Sequence, residues 1–330
     1  MKSLFLSRRQ FGQAAAGALG ATAFGGLATR LLAQQPQNFD NVQMKVLPIQ
    51  GNTYMIIGAG GNTTVQVGKD GVLVVDTQYA PLAPKLLAEI RKLSSGPLRY
   101  IINTHMHGDH TGGNEALSKA GATIVGGNFA GQLGAEDAAS AAIIAHENAL
   151  NRMSEQTPKL PFAGLPNNTY FTDTKEVFFN GEAVQLYHPK AAHTDTDTIV
   201  FFRKSDVVCT GDIFVPASYP FIDTANGGNI NGLVGALNYI LDLTVPAEKQ
   251  EGGTLVVPGH GRLCDEADVV EYRDMVTIIR DRIRDMVNRN MTLDQVKAAK
   301  PTRDYDPLYA PMGGAAVDRF VEGIFKTVKA

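Results

Sequence analysis

The stretch that decides the fold is His105-Met106-His107-Gly108-Asp109-His110. Three of the seven histidines in this 330-residue chain fall within these six residues. Before it runs the strand-like Arg99-Tyr100-Ile101-Ile102, then Asn103-Thr104; after it comes Thr111-Gly112-Gly113-Asn114. The motif therefore begins where a buried strand ends and closes where a helix starts, a turn that can aim several side chains at one point. Imidazole nitrogen and carboxylate oxygen are zinc ligands, held at roughly 2.0–2.2 Å. Gly108, Gly112 and Gly113 call for a tight backbone, which a loose solvated loop does not need. The expectation is a metal site.

Working outward, short strand-like runs precede the motif: Met44–Ile49, Tyr54–Ile57, Thr63–Val67 and Val72–Asp76, separated by Gly-Asn and Asp-Gly turn pairs. Pro81 opens a helix through Leu93, and another begins near Asn114. Thr123–Val125 is strand-like, the Ala-rich residues 128–155 are expected to be helical, and residues 157–171, with three prolines, read as a surface loop. The strand pattern returns at Glu176–Phe179, Ala183–Tyr187, Thr198–Phe202 and Asp206–Cys209. A helix near Leu233–Leu243, a buried strand at Thr254–Val257 and helices over Ala267–Asn288, Leu293–Ala299 and Ala316–Val328 complete the chain. Two sets of hairpins and helix–strand units predict an α/β protein built as an αββα four-layer sandwich.

The HxHxDH run resembles the metallo-β-lactamase superfamily. Four further residues match the family in order: Asp76 ending Val72-Leu73-Val74-Val75-Asp76, His193 in Ala192-His193-Thr194, Asp212 in Thr210-Gly211-Asp212, and His260 in Pro258-Gly259-His260-Gly261. The resemblance spans about residues 43–262. It implies that His105, His107 and His193 hold one zinc, that Asp109, His110 and His260 hold a second, that Asp212 bridges them, and that Asp76 supports the ligands from behind. Of the remaining histidines, His146 and His188 are expected in surface or core roles, and Asp195 and Asp197 to fix the turn beside His193.

A water between two Zn²⁺ ions loses its proton near neutral pH. The expected activity is therefore hydrolysis of an ester, lactone, thioester or amide in a small-molecule substrate by metal-bound hydroxide. Asp109 is expected to orient the nucleophile and shuttle a proton. No G-x-S-x-G nucleophile motif is present. By the resemblance, an Asp at 212 points to the glyoxalase II and lactonase branches, since the β-lactamases proper carry Cys or Ser there. Export favours a β-lactamase reading instead. Two other classes stay open: the same ligands holding iron in a persulfide dioxygenase, and a periplasmic accessory protein that binds metal without catalysis. The rim is expected from residues 128–170 and Ser218–Asn231, without the Lys and Arg cluster a highly anionic substrate requires.

Residues 7–12, Ser-Arg-Arg-Gln-Phe-Gly, followed by an Ala- and Gly-rich run to Ala28 and a cleavage site around Ala33, resemble a twin-arginine export signal. The alternative, an uncleaved membrane helix, is disfavoured by the run's shortness and glycine content. The expected organisation is a signal over 1–33, a linker over 34–42 and a catalytic domain over 43–330, delivered by the twin-arginine machinery to the periplasm or beyond. Without residues 1–33 the formal charge changes from −3 to −7, as 26 basic residues then face 33 acidic ones. That balance argues against nucleic-acid partners. The two cysteines, Cys209 and Cys264, form no CxxC pair, and Cys209 reads as a buried thiol.

Overall fold

Hairpins open the domain. In the computed structural model, which describes residues 38–123, 140–310 and 314–329, β1 (Lys45–Pro48), β2 (Thr53–Ile57), β3 (Thr63–Gly68) and β4 (Gly71–Val75) pair antiparallel in sequence. Gly51 and Gly71 sit in the expected turns with positive φ, which glycine reaches without a Cβ clash. A 3-10 turn (Ala80–Leu82) and α1 (Ala83–Leu93) then carry the chain to β5 (Leu98–Ile102), parallel to β4. β6 (Ala142–His146) and β7 (Asn168–Tyr170) continue in parallel, giving seven strands in the order β1-β2-β3-β4-β5-β6-β7.

The second sheet has five strands in the order β12-β11-β10-β9-β8: β8 (Thr174–Phe179), β9 (Glu182–Tyr187), β10 (Ile199–Phe202), β11 (Val207–Cys209) and β12 (Leu255–Val257). All its pairings are antiparallel except β11 with β12.

Alternation along the strands sorts apolar side chains into three cores. Leu73, Val75, Ile102 and Ile144 face Leu186, Val200, Phe202 and Val207 between the sheets. One residue over, Val72, Val74, Ile101 and Ile143 pack against Leu86 and Ile90 of α1 and Leu117 of α3 (Asn114–Lys119). On the far side of the second sheet, Ile199, Val208 and Val256 meet α5 (Ile230–Leu243), α6 (Glu266–Asn288) and the last helix, α7 (Ala315–Thr327). The layers are therefore α, β, β, α, as expected. Cys209 and Cys264 are free, buried thiols in different cores on opposite faces of the second sheet.

The expected helix over 128–155 is corrected. Residues 128–139 lie outside the described residues, as does Val125, while Thr123 is not in a strand. Ala142–His146 is a strand, and helix begins only at Glu147, as α4 (Glu147–Glu155). A parallel strand covered on both faces reads as a continuous apolar run, which lacks the alternation that betrays an edge or half-exposed strand. The proline-containing segment read as loop includes a 3-10 turn (Phe162–Gly164) and β7.

The expected export signal over 1–33 and the first part of the linker lie outside the described residues. The linker's end is tied down: Lys85 Nζ donates to the carbonyls of Phe39, Asp40 and Val42, and the Phe39 and Tyr79 rings meet at 5.4 Å. Among the described residues no helix is long and apolar enough to cross a membrane. Ile144 is fully buried between the sheets. Ile144→Ala is expected to lower unfolding free energy in urea titrations by about 2–5 kcal/mol, whereas Phe178→Ala, at a ring 75% exposed on an edge strand, stays within about 0.5 kcal/mol.

Candidate metal centre

Strand direction gathers the site. β4, β5, β11 and β12 each end at the same rim, and their C-terminal continuations carry Asp76, the 105–110 turn, Asp212 and His260. The turn after β9 adds His193. Gly108–Thr111 form one helical turn, α2, which lifts Asp109 and His110 back toward His105. Gly112 and Gly113 are required by close packing rather than by unusual φ: a Cβ would lie 2.5 Å from Ala80 N and 2.4 Å from the Thr77 carbonyl respectively.

All seven side chains assigned as ligands by resemblance converge, in two groups. Ligand atoms of His105, His107, His193 and Asp212 lie within 4.8 Å of one another, as do those of Asp109, His110 and His260. His193 Nε2 is 3.0 Å from His107 Nδ1, and His110 Nε2 is 3.3 Å from His260 Nε2. Asp212 joins the groups. Its Oδ1 stands 3.2 Å from His110 Nε2 and 3.3 Å from His260 Nε2, and its Oδ2 stands 3.9 Å from His193 Nε2. Asp109 Oδ2 is 3.3 Å from His260 Nε2.

Outer partners decide which nitrogen each ring turns inward. Asp76, buried and at positive φ, accepts from Thr104 N at 2.8 Å, Thr104 Oγ1 at 2.6 Å and His110 Nδ1 at 2.7 Å. It thus aims His110 Nε2 at the cluster. His193 Nδ1 donates to the Phe221 carbonyl at 2.6 Å, leaving Nε2 inward. His107 is reversed: Nε2 pairs with Asp223 Oδ2 at 3.0 Å, and Nδ1 faces the cluster. Buried groups normally find hydrogen-bond partners, yet His105 Nε2 and Asp212 Oδ1 are buried at the centre without one; the neighbours of Oδ1 are close but lack hydrogen-bond geometry. Two orphaned lone pairs amid nitrogen and oxygen donors fit a pair of divalent cations.

The charges agree with that reading. Burial, reinforced by His110 and His193, depresses His105 well below the ordinary imidazole value. Burial also disfavours charge on His110, but Asp212 and Asp76 outweigh it and hold His110 well above that value. His260 is likewise raised against burial by Asp109 and Asp212, to about 9. Burial opposes the charge on Asp212, but His110 and His260 hold it well below the carboxylate range; His260 does the same, less strongly, for Asp109.

His146 and His188 are in neither group. Both are buried, their rings stacked at 3.6 Å, with His188 Nδ1 against the Asp197 carbonyl at 2.7 Å. Asp197 fixes the His193 turn as expected, accepting from Thr194 N and Oγ1. Asp195 differs: its carboxylate forms a bidentate pair with Arg152. Asp223 went unrecognised, because an aspartate eleven residues beyond Asp212 carries no local pattern and only the folded chain places it on His107.

The family model described as the metallo-beta-lactamase superfamily matches residues 56–262. The chain belongs to that superfamily. Among solved structures, a metallo-beta-lactamase from Pontibacter korlensis is 18% identical, with TM-score 0.54 over 71% of this chain and 99% of its own. The inverting sec-alkylsulfatase Pisa1 from Pseudomonas sp. is 14% identical, with TM-score 0.63 over 86% of this chain, which spans 50% of that longer protein. DIM-1 metallo-beta-lactamase is 17% identical, with TM-score 0.52 over 72% of this chain and 98% of its own. At these identities the likeness is one of fold.

Because His260 is raised to about 9, it is protonated at neutral pH in the metal-free protein, and a cation must displace that proton. Divalent-metal binding is therefore expected to tighten as pH rises toward about 9, where His260 loses its proton. Calorimetric titrations at neutral pH should give enthalpies that vary with the ionisation heat of the buffer; identical enthalpies in all buffers would contradict this charge assignment.

Proposed function

We propose that the protein is an exported two-metal hydrolase that uses zinc to cleave an ester, lactone, thioester or amide bond in a small-molecule substrate. The observation that carries the proposal is Asp212, whose two oxygens reach one toward each histidine group. Two cations held there would supply an acidified water and a Lewis acid for the substrate's oxygen. The donors are nitrogen and oxygen only; neither free thiol belongs to the groups. His105, His107 and His193 would hold one ion, Asp109, His110 and His260 the other, with Asp212 shared.

The chain's own residues divide the remaining work. Asp109 is a carboxylate at neutral pH and is partly open to solvent, its side chain 21% exposed. It is the group placed to accept a proton from water and return it to a leaving group. Asp76 holds His110 in one orientation, so the ring need not reorganise during the reaction. Phe221, 48% exposed and 6.3 Å from the His107 ring, offers an apolar surface at the mouth. The Ser-Arg-Arg-Gln-Phe-Gly sequence supports delivery through the twin-arginine machinery to the periplasm or beyond, a route that exports folded, metal-loaded protein.

The test is a panel on zinc-loaded protein: β-lactams, lactones, thioesters, carboxylic esters and, because the fold is shared with an alkylsulfatase, secondary alkyl sulfates. Turnover of at least one class that chelator abolishes and zinc restores is expected. Purified protein that carries iron and consumes oxygen with persulfides, or that turns over nothing while fully loaded, would overturn the hydrolase reading. Asp109→Asn is expected to lower kcat by about 10²–10⁴-fold with an unchanged melting temperature. Separately, replacing Arg8 and Arg9 with Lys is expected to leave the protein in the cytoplasmic fraction; unchanged export would remove the twin-arginine assignment.

A further inference from the structure

One loop touches both exchangeable faces of the His107–His193 pair. Phe221 accepts the His193 Nδ1 proton on its carbonyl, and Asp223, two residues on, accepts the His107 Nε2 proton on its carboxylate. The loop is itself pinned to the His193 turn, since Asp223 N donates to the His193 carbonyl at 2.9 Å and Asp195 N donates to the Asn226 carbonyl at 2.9 Å. Gly228 allows that approach, because a Cβ there would sit 2.3 Å from the His193 carbonyl.

A chain of side chains continues outward. Asn226 Nδ2 donates to Asp223 Oδ2 at 2.7 Å, and its backbone N reaches Asp223 Oδ1 at 3.2 Å. Arg152 of α4 donates through Nη1 to Asn226 Oδ1 at 3.1 Å, while Nε and Nη2 grip the Asp195 carboxylate at 2.6 and 2.5 Å. Asn148, also on α4, donates to the Asp195 carbonyl at 2.8 Å. The result is an unbroken relay, Arg152 to Asn226 to Asp223 to His107. None of these residues touches the Asp109, His110 and His260 group through a hydrogen bond or ion pair given among the described residues.

We infer that Asp223 is the positioning residue for the His107 half of the site, and that Asn226 and Arg152 clamp it from outside, so that the two metal ions are held with separately tuned affinities. The physical reason is tautomeric. An imidazole that must present Nδ1 to a cation needs its proton on Nε2, and a carboxylate acceptor there fixes both the tautomer and the ring plane. His105 and His193 present Nε2 instead, so without Asp223 the three rings of this half have no common geometry. The other half has its own anchor in Asp76, which bonds His110. Asp223 therefore stands behind the His107 group alone, whereas Asp76 bonds His110 directly and reaches His105 only through Thr104 Oγ1.

The inference rests on the proposed two-metal reading, and the experiment separates the two. Stepwise zinc binding to the full chain is followed by competition with a chromogenic chelator, for the native protein and for Asp223→Ala, Asp223→Asn and Arg152→Met. One of the two binding steps is expected to weaken by about 10- to 100-fold in Asp223→Ala, with the other step within twofold of native. Asp223→Asn, which keeps an acceptor, should recover part of the loss, and Arg152→Met should show a smaller loss at the same step. Long-range ¹H–¹⁵N spectra of the loaded protein assign the step: in the native protein His107 carries its proton on Nε2, as does His146 away from the site, where Nδ1 accepts from Asn148 N, and of these two signals only that of His107 disappears in Asp223→Ala. Native protein that binds no zinc would sink the two-metal reading. Native protein that binds two ions while every variant matches it, or loses both steps equally, would sink this inference alone. If Asp223→Ala does not fold, Arg152→Met, whose change lies at the outer end of the relay, decides the question by the same readouts.

Discussion

Desolvation governs this site. Five imidazoles and three carboxylates, counting Asp76, Asp109 and Asp212, are drawn into one hollow at the joint rim of two sheets, and burial alone disfavours charge on His105, His110, His260, Asp109 and Asp212. Such a group persists only when each charge is matched and each ring nitrogen has an assignment. Alternating signs within the cluster and a set of acceptors behind it meet that need: Asp76 behind His110, the Phe221 carbonyl behind His193, Asp223 behind His107. What remains unpartnered, His105 Nε2 and Asp212 Oδ1, marks the centre of the hollow.

The architecture serves that requirement by separating rigidity from chemistry. Apolar residues alternating along the strands build three cores, and every site residue is held at or beyond a strand end, where the backbone is free to turn. Central strands carry the most important side chains. β4 and β5 are flanked on both sides, so Asp76 and the 105–110 turn start from the stiffest part of the first sheet. The loop over 221–228 lies farther from any strand, and its position depends on side chains from α4 as well as on the His193 turn.

This division bears on how the protein would distinguish its two ions. The half anchored by Asp76 is tied to sheet backbone through Thr104. The half anchored by Asp223 is tied to a loop held by backbone bonds to the His193 turn, by the buried Ile222 and by polar side chains of α4. What sets the two halves apart is the element behind each anchor, sheet backbone for one and a loop with its helix for the other, although their donors are chemically alike.

Much of this was legible in the chain itself. A six-residue motif holding three histidines and an aspartate declares metal chemistry because ligand spacing is a local property, and strand alternation declared most of the two sheets because side-chain period is local too. β6 escaped, since a strand covered on both faces shows an apolar run in place of a period, and Ala142 and Ala145 resemble helix as readily as strand. The convergence of His193, Asp212 and His260 on the motif was reached through family resemblance, since nothing local links them. Asp223, Asn226 and Arg152 were silent for the same reason: their meaning lies in contacts between segments 43 to 116 residues apart, which only the folded chain creates.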